Sequence, residues 1–170
     1  MDMAHSTTTS VGLAPGALPM KVDGRAREVA KLRVIRGYDS AIIRAYCSSR
    51  FGIRHQRFLD EIGQYLPSGG RVLDLSCGFS LLSLYYANVL PNPYQDGLDR
   101  NSRRIATACR AAERLGVHNV TYNQGDVMDY GGTDRYDAAY MLDIIHHISP
   151  TGVRPLIANS TRSCSPAVVS

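Results

Sequence analysis

An acid near the end of an apolar run, followed by a turn of small residues, is the most informative feature of the chain. The acid is Asp74, and the small residues Ser76, Gly78 and Ser80 follow it at alternate positions. A helical pattern begins at Leu81, so the segment predicts a buried strand, a tight loop and a helix start. Small residues let a ligand approach the loop, and the free N–H groups of the helix favour polar or anionic groups. The segment therefore predicts a ligand site at the carboxyl end of a strand.

A second acid follows this loop at the distance expected for a site that binds a ribose. Asp99 lies 21 residues after Gly78, at the end of the second predicted strand. In nucleotide-binding α/β folds, a carboxylate about 20 residues after the glycine loop accepts hydrogen bonds from ribose hydroxyls. The alternative for Asp99 is a capping role at the next helix, although Asn101 or Ser102 could serve there instead.

The loop resembles the first motif of class I S-adenosylmethionine-dependent methyltransferases, an acidic residue followed by G-x-G-x-G. Gly78 matches the second glycine, whereas Ser76 and Ser80 stand where the family has its first and third. A serine carries a Cβ atom, so a left-handed backbone at either position would be strained. Agreement with the dinucleotide fingerprint G-x-G-x-x-G is poorer, because Leu81 stands at its last glycine. A nucleotide-binding oxidoreductase domain is therefore an alternative that fits less well.

The resemblance implies S-adenosyl-L-methionine as the cofactor and gives a role to each acid. Asp74 would help to hold the methionyl amine, with Ser76 and Gly78 in the loop beside it. Asp99 would accept hydrogen bonds from the ribose. The alternative for Asp74 is a carboxylate that caps the following loop.

A Gly-Asp pair after the third predicted strand looks like a further motif of the same family. The resemblance implies that Asp126 accepts a hydrogen bond from the adenine amino group. It also implies that the backbone N–H of Val127 meets the edge of the adenine ring. The alternative is an ordinary turn that contains Gly125 and Asp126.

The end of the fourth predicted strand carries the remaining candidates, Asp143, His146 and His147. In the family this segment borders both cofactor and acceptor, which makes Asp143 a candidate cofactor-binding residue. His146 or His147 is a candidate for relaying a proton from an acceptor hydroxyl, because imidazole titrates near pH ~6.5. The alternative for the pair is a structural helix start. Two adjacent histidines make no metal site without a third ligand, so we expect no metal.

Strand and helix patterns alternate after residue 70, which implies a parallel sheet with right-handed crossovers. Strands are predicted at 71–75, 94–98, 119–123 and 136–142, and helices at 39–47, 54–66, 81–89 and 102–115. We expect an α/β, Rossmann-like doubly wound parallel sheet of the class I methyltransferase type. That family orders its strands 3-2-1-4-5-7-6. The pattern holds the first four, so we expect the C-terminal strands to be missing, as in a fragment.

Composition divides the chain into three parts. We expect residues 1–37 to be disordered or loosely ordered and residues 159–170 to form an irregular tail. The methyltransferase domain would occupy residues 38–158, with a helical cap at 38–68 and a Rossmann-like core at 69–158. No apolar run approaches the ~18 residues of a membrane span, and no secretory signal pattern is present. The four cysteines make no metal-ligand pattern, so we expect a cytoplasmic protein with reduced thiols.

Basic residues concentrate near the N-terminus of a chain whose net charge is +4. The densest cluster consists of Lys21, Arg25, Arg27, Lys31, Arg33 and Arg36. A cluster of this kind is compatible with a surface that binds nucleic acid or an anionic membrane. Asp23 and Glu28 interrupt it and no aromatic residue is interleaved, which favours an ordinary solvated face.

The motifs together predict an S-adenosylmethionine-dependent methyltransferase that acts on a small apolar molecule. The two predicted N-terminal helices would lie over the cofactor cleft, and their region supplies the aromatic residues Tyr38, Tyr46, Phe51 and Tyr65. The first alternative is a non-catalytic, cofactor-binding fragment of such an enzyme, because the last three strands are missing from the pattern. A nucleic-acid methyltransferase is a less favoured alternative.

Overall fold

The computed structural model describes residues 23–67, 69–90, 93–130, 136–142 and 155. Its helices are α1 (Gly24–Gly37), α2 (Ala41–Ile53), α3 (Gln56–Gly63), α4 (Leu81–Val89) and α5 (Ser102–Leu115). Its strands are β1 (Arg71–Leu75), β2 (Tyr94–Asp99), β3 (Val120–Gln124) and β4 (Ala138–Met141). The predicted bounds of β1, α4 and α5 are confirmed, and the other three strands differ from their predicted bounds by one or two residues at an end.

The described strands form one parallel sheet in the order β3-β2-β1-β4. This order and direction confirm the predicted α/β fold class. Asp74 on β1 is paired with Gly97 on β2 and with Tyr140 on β4. Asp99 at the end of β2 is paired with Gln124 at the end of β3. The parallel arrangement therefore brings the carboxyl ends that bear the candidate acids to one edge of the sheet.

The side chains of β1 alternate between two apolar layers. Val72 packs with buried residues of α1, α4 and α5 on one face of the sheet. Leu73 and Leu75 pack with Val127 and Tyr136 on the other face. Because side chains alternate along a strand, Asp74 shares the face of Val72 and points into the layer beneath the helices.

An acid and a glycine are unusual inside a buried strand, and packing explains both in β2. The Asp96 carboxylate is buried and lies 2.5 Å from Nη2 of Arg71, so its charge is paired. A Cβ atom on Gly97 would lie 2.7 Å from the Tyr122 ring and 2.9 Å from Sγ of Cys77. Only glycine fits in this position between its neighbours.

Helix α1 corrects the expectation that residues 1–37 are loosely ordered, since residues 24–37 form a helix against the core. Asp23 caps its N-terminus, and the helix packs against α4 and α5. The buried stripe is narrow, with Ala30, Val34 and Gly37 spaced by four and three residues. Charged residues occupy most other positions, so apolar periodicity gave little sign of a helix.

The basic cluster of α1 is largely occupied by contacts within the protein. Nη1 of Arg27 lies 3.0 Å from the Asp60 carboxylate on α3, and Nη2 of Arg33 donates to the carbonyl of Leu115 at 2.6 Å. Lys31 is buried. The expectation of a simple solvated face is therefore wrong for Arg27 and Arg33, which fasten α1 to α3 and α5, and for Lys31, which pairs with Glu28 of the same helix.

Helices α2 and α3 correspond to the two helices predicted before the sheet, but with α1 the structure has three there, and α2 continues to Ile53 instead of ending at residue 47. Cys47 and Phe51 are the buried residues of α2, whereas Ile42 is 82% exposed and Tyr46 is 47% exposed. The side of α2 that faces the core is therefore formed by Cys47 and Phe51, and not by Ile42 and Tyr46. Among the described residues, no helix has the length and apolar character needed to cross a membrane.

Candidate functional site

The loop between β1 and α4 adopts a left-handed backbone at every second residue. The φ angles of Ser76, Gly78 and Ser80 are 66°, 59° and 64°. Glycine takes this conformation freely, whereas a residue with a Cβ atom pays about 1–2 kcal/mol. The positions that carry glycine in the resembling motif therefore keep a glycine-like geometry, and the expectation that serine is strained there is confirmed.

Side chains from three other parts of the chain, Tyr38, Tyr122 and Tyr46, hold this loop in place. The hydroxyl of Tyr38, which follows α1, donates to the carbonyl of Phe79 at 2.8 Å. Oγ of Ser80 donates to the Tyr122 hydroxyl of β3 at 2.5 Å. The Tyr46 ring meets the Phe79 ring edge-on, with ring centroids 5.7 Å apart. Helix α2 thus lies beside the loop, as the sequence led us to expect.

Asp99 binds the loop directly through its carboxylate. Oδ2 accepts from the N–H of Gly78 at 2.9 Å, and Oδ1 accepts from the N–H of Asn101 at 2.8 Å. Asn101 itself caps α5 by accepting from the N–H groups of Arg103 and Arg104. The capping alternative for Asp99 is therefore wrong. A carboxylate has about four acceptor positions, so capacity remains for ligand hydroxyls.

Hydrogen bonds join three of the predicted motifs at the same edge of the sheet. The Asp99 side chain reaches Gly78 of the loop, and its carbonyl accepts from the N–H of Gly125 at 3.1 Å. Gly125 begins the Gly-Asp motif after β3. The motif residues are thus neighbours in space although they are spread over about fifty positions.

Asp74 is buried, with 5% of its surface exposed, and its partners are side chains. Oδ2 accepts from Oγ of Ser83 at 2.5 Å and from the hydroxyl of Tyr140 at 3.0 Å. Burial raises the pKa of Asp74 to about 6, while these two hydrogen bonds and the charge of Arg54 act in the opposite direction. Because these donors belong to α4 and β4, they give no support to a role in capping the loop.

The Gly-Asp motif forms a turn in which Asp126 has a local partner. Oδ1 of Asp126 accepts from the N–H of Met128 at 2.9 Å, as in the ordinary turn that was the alternative reading. Among the described residues, Oδ2 of Asp126 accepts no hydrogen bond. The Val127 side chain is buried against Leu73 and Leu75, which fixes the backbone of the turn.

Three of the predicted site residues, Asp143, His146 and His147, lie outside the described residues. Their roles stay predictions. Within the described ranges, no group of three or more potential ligands could hold a metal ion.

Sequence reasoning missed three residues around Asp74: Ser83, Tyr140 and Arg54. Ser83 lies nine residues after Asp74, and Tyr140 lies 66 residues after it. Ser83 lies on the inward face of α4, and Tyr140 interrupts an apolar strand. The sequence signal available was a polar side chain within an otherwise apolar helix or strand. That Asp74 is the partner of these side chains could be found only once the sheet order was known.

The loop, the acids and the Gly-Asp motif lie in a segment that matches a known protein family. Residues 72–167, more than half of the chain, match the family described as "Methyltransferase domain". The chain belongs to this methyltransferase family. A protein of Papaver bracteatum, described as "Probable (S)-tetrahydroprotoberberine N-methyltransferase 2", is 30% identical over 83 residues. This match covers 49% of the chain but only 23% of that curated relative.

Solved structures of methyltransferases share the fold of this domain. Coclaurine N-methyltransferase bound to N-methylheliamine and SAH superposes with a TM-score of 0.59 at 20% identity, covering 64% of this chain and 32% of that one. A SAM-dependent methyltransferase from Geobacter sulfurreducens, in complex with S-adenosyl-L-homocysteine, gives 0.54 at 28% identity, covering 66% and 45%. The chain thus spans less than half the length of either structure.

Proposed function

We propose that this methyltransferase domain binds S-adenosyl-L-methionine and transfers its methyl group to a small-molecule acceptor. The observation that carries the proposal is the contact between Asp99 and Gly78 at the carboxyl edge of the sheet. It joins a carboxylate with spare acceptor capacity to the backbone of a small-residue loop. A match to the methyltransferase family over these same residues supports the assignment.

The described residues fit the cofactor in two respects. A Cβ atom built on Gly78 would have no heavy atom within 4 Å, so the space beside the loop is open to a ligand. Asp99 borders that space, and its carboxylate has lone pairs left for the ribose hydroxyls. We assign Asp74 to the methionyl amine, Ser76 and Gly78 to the loop contact, Asp126 and the Val127 N–H to adenine, and Asp143 to the cofactor edge of β4.

The bound cofactor supplies an activated methyl group on a sulfonium. The tasks of the protein are then to align the acceptor with that methyl group and to exclude water. We propose that the exposed side of α2 borders the acceptor, because Tyr46 contacts Phe79 of the loop and Ile42 extends the apolar surface. Such a surface suits a small, largely apolar molecule.

A nitrogen nucleophile is our preferred acceptor atom. The curated relative and one of the structural neighbours are both described as N-methyltransferases. An amine needs a free lone pair, so a base is required only if the amine binds protonated. His146 and His147 are the candidates for the base that removes that proton.

The free thiols of Cys47, Cys77 and Cys109 accord with action in the reducing cytoplasm.

Calorimetric titration with S-adenosylhomocysteine tests the cofactor site. Asp99→Asn should weaken binding by about tenfold or more, because a charged acceptor for the ribose is lost. Asp137→Asn is the matched control, since Asp137 accepts from the N–H of Arg71 at the opposite edge of the sheet. Equal affinities in the wild type and a folded Asp99→Asn variant would remove the ribose role.

Methyl transfer to a panel of small amines tests the reaction itself. The proposal predicts a methylated amine and one equivalent of S-adenosylhomocysteine. Binding of the cofactor without transfer to any amine, phenol or carbon acid would instead favour a non-catalytic, cofactor-binding protein.

A further inference from the structure

Four polar side chains form a buried network beneath the candidate cofactor site. They belong to four different elements: Asp74 on β1, Ser83 on α4, Gln95 on β2 and Tyr140 on β4. Ser83 and Gln95 are fully buried, and Asp74 is nearly so. A buried polar group is costly unless it is hydrogen-bonded, so the partners of these groups define what the network does.

Both hydroxyl donors of the network bind the same oxygen of Asp74. Oγ of Ser83 lies 2.5 Å from Oδ2, and the Tyr140 hydroxyl lies 3.0 Å from it. Among the described residues, no hydrogen bond to Oδ1 is present. The two donors therefore fix the carboxylate through one oxygen, and the other oxygen has no donor among the described residues.

Gln95 borders the network at the Tyr140 hydroxyl. The side-chain amide of Gln95 lies 3.5 Å from that hydroxyl through its oxygen, and its nitrogen has no partner within the described part of the chain. Turning the amide over would let the nitrogen donate to the Tyr140 oxygen. The hydroxyl hydrogen then points to Asp74, which gives a chain of donors from Gln95 through Tyr140 to the carboxylate.

We propose that Tyr140 and Ser83 are positioning residues, which hold Asp74 ionised and fixed so that its second oxygen binds the cationic amine of the cofactor. This inference rests on the proposed cofactor site and adds residues that the family motif does not contain. Tyr140 suits the role because burial raises its pKa well above its usual range, so the phenol stays protonated and remains a donor.

The charges around Asp74 explain why such donors are needed. Burial is the largest influence and raises the pKa of Asp74 to about 6, and the nearby charge of Asp99 acts in the same direction. Arg54 opposes this rise, together with the two hydroxyl donors. The other described titratable groups that face Asp74 are Cys77, Tyr86, Tyr122 and Tyr140, and burial raises the pKa of each, which keeps them neutral.

The first arm of the test needs no ligand. Carboxyl carbon NMR of protein labelled at aspartate should show Asp74 titrating near pH 6 in the wild type. Tyr140→Phe and Ser83→Ala each remove a donor to the charged form, so the midpoint should move to about pH 7. Tyr86→Phe is the matched control, because its hydroxyl donates to the carbonyl of Leu59 instead.

The second arm measures S-adenosylhomocysteine affinity from pH 5 to pH 7.5. If the midpoint moves from pH 6 to about pH 7, Tyr140→Phe should bind about fivefold more weakly at pH 6 and less than about twofold more weakly at pH 7.5. A structural role alone would weaken binding equally at every pH. Ser83→Ala provides the same measurement if Tyr140→Phe does not fold.

The outcomes separate this inference from the function on which it rests. An unchanged NMR midpoint in both variants, or pH profiles identical to the wild type, would overturn the positioning role and leave the cofactor site intact. A wild-type protein that does not bind S-adenosylhomocysteine would overturn the proposed function and this inference with it.

Discussion

Replacement of Ser76 by glycine should stabilise the protein, which is unusual for a substitution in a binding loop. Ser76 has φ 66°, a conformation that costs a residue with a Cβ atom about 1–2 kcal/mol. Glycine removes that cost, although its greater freedom in the unfolded chain returns about 0.5–1 kcal/mol. The net expectation is a gain of about 0.5–1 kcal/mol in the free energy of unfolding.

The same change at Ser80 should gain less, because this serine has a partner. Its Oγ donates to the buried Tyr122 hydroxyl, and loss of that bond costs about 1 kcal/mol. Gain and loss then nearly cancel, so Ser80→Gly should leave stability within about 0.5 kcal/mol of the wild type. The contrast between two serines with the same backbone separates the backbone strain from the hydrogen bond.

Urea denaturation followed by far-UV circular dichroism would measure both variants. Gly116→Ala is the matched reverse substitution, since Gly116 has φ 63° and a Cβ atom there would meet nothing within 4 Å. It should cost about 1 kcal/mol without touching the loop. A Ser76→Gly variant that is less stable than the wild type, beside a Gly116→Ala variant that behaves as expected, would refute the strain argument.

Two further changes test the packing of β2 and the burial of Asp74. Gly97→Ala should destabilise the protein by about 1–3 kcal/mol in denaturant titration, because its Cβ would press on Tyr122 and Cys77; an unaffected variant would contradict this packing. The pKa of Asp74 is about 6, above its ordinary 3.8, so the folded state holds a proton that the unfolded state releases between these values. The contribution of Asp74 to stability should therefore fall by about 3 kcal/mol as pH rises from about 4 to about 6 and stay level above that, and it is measured as the difference between the wild type and Asp74→Asn at each pH. If the stability of the wild type and that of Asp74→Asn changed equally over this pH interval, Asp74 would be excluded as the group responsible.

The sheet could be predicted from the sequence because its signals are local. The strand ending at Leu75, the loop and the helix from Leu81 lie within twenty residues, and α5 has a continuous apolar stripe ended by Gly116. Asp74 and Asp99 were predicted to bind one cofactor, and parallel strands place the carboxyl ends that carry them at the same edge of the sheet. That prediction rested on the motif and its spacing, which are also local.

The remaining features depend on contacts between distant parts of the chain. Helix α1 buries a narrow stripe of small residues, and its basic side chains bind α3 and α5, which no local pattern reveals. Tyr140 lies beside Asp74 only because β4 pairs with β1, 66 residues along the chain. Whether Asp99 or Asn101 caps α5 was likewise decided by the position of the Asn101 side chain.

Competitive calorimetry with S-adenosylhomocysteine and NADH tests whether the site is built for S-adenosylmethionine or for a dinucleotide. Both ligands contain an adenosine, so both could use Asp99 and the Gly-Asp motif. We predict that S-adenosylhomocysteine binds the wild-type chain and that NADH does not displace it, because the loop follows the methyltransferase pattern and carries Leu81 in place of the last dinucleotide glycine. Tighter binding of NADH would contradict the assignment of this site to S-adenosylmethionine.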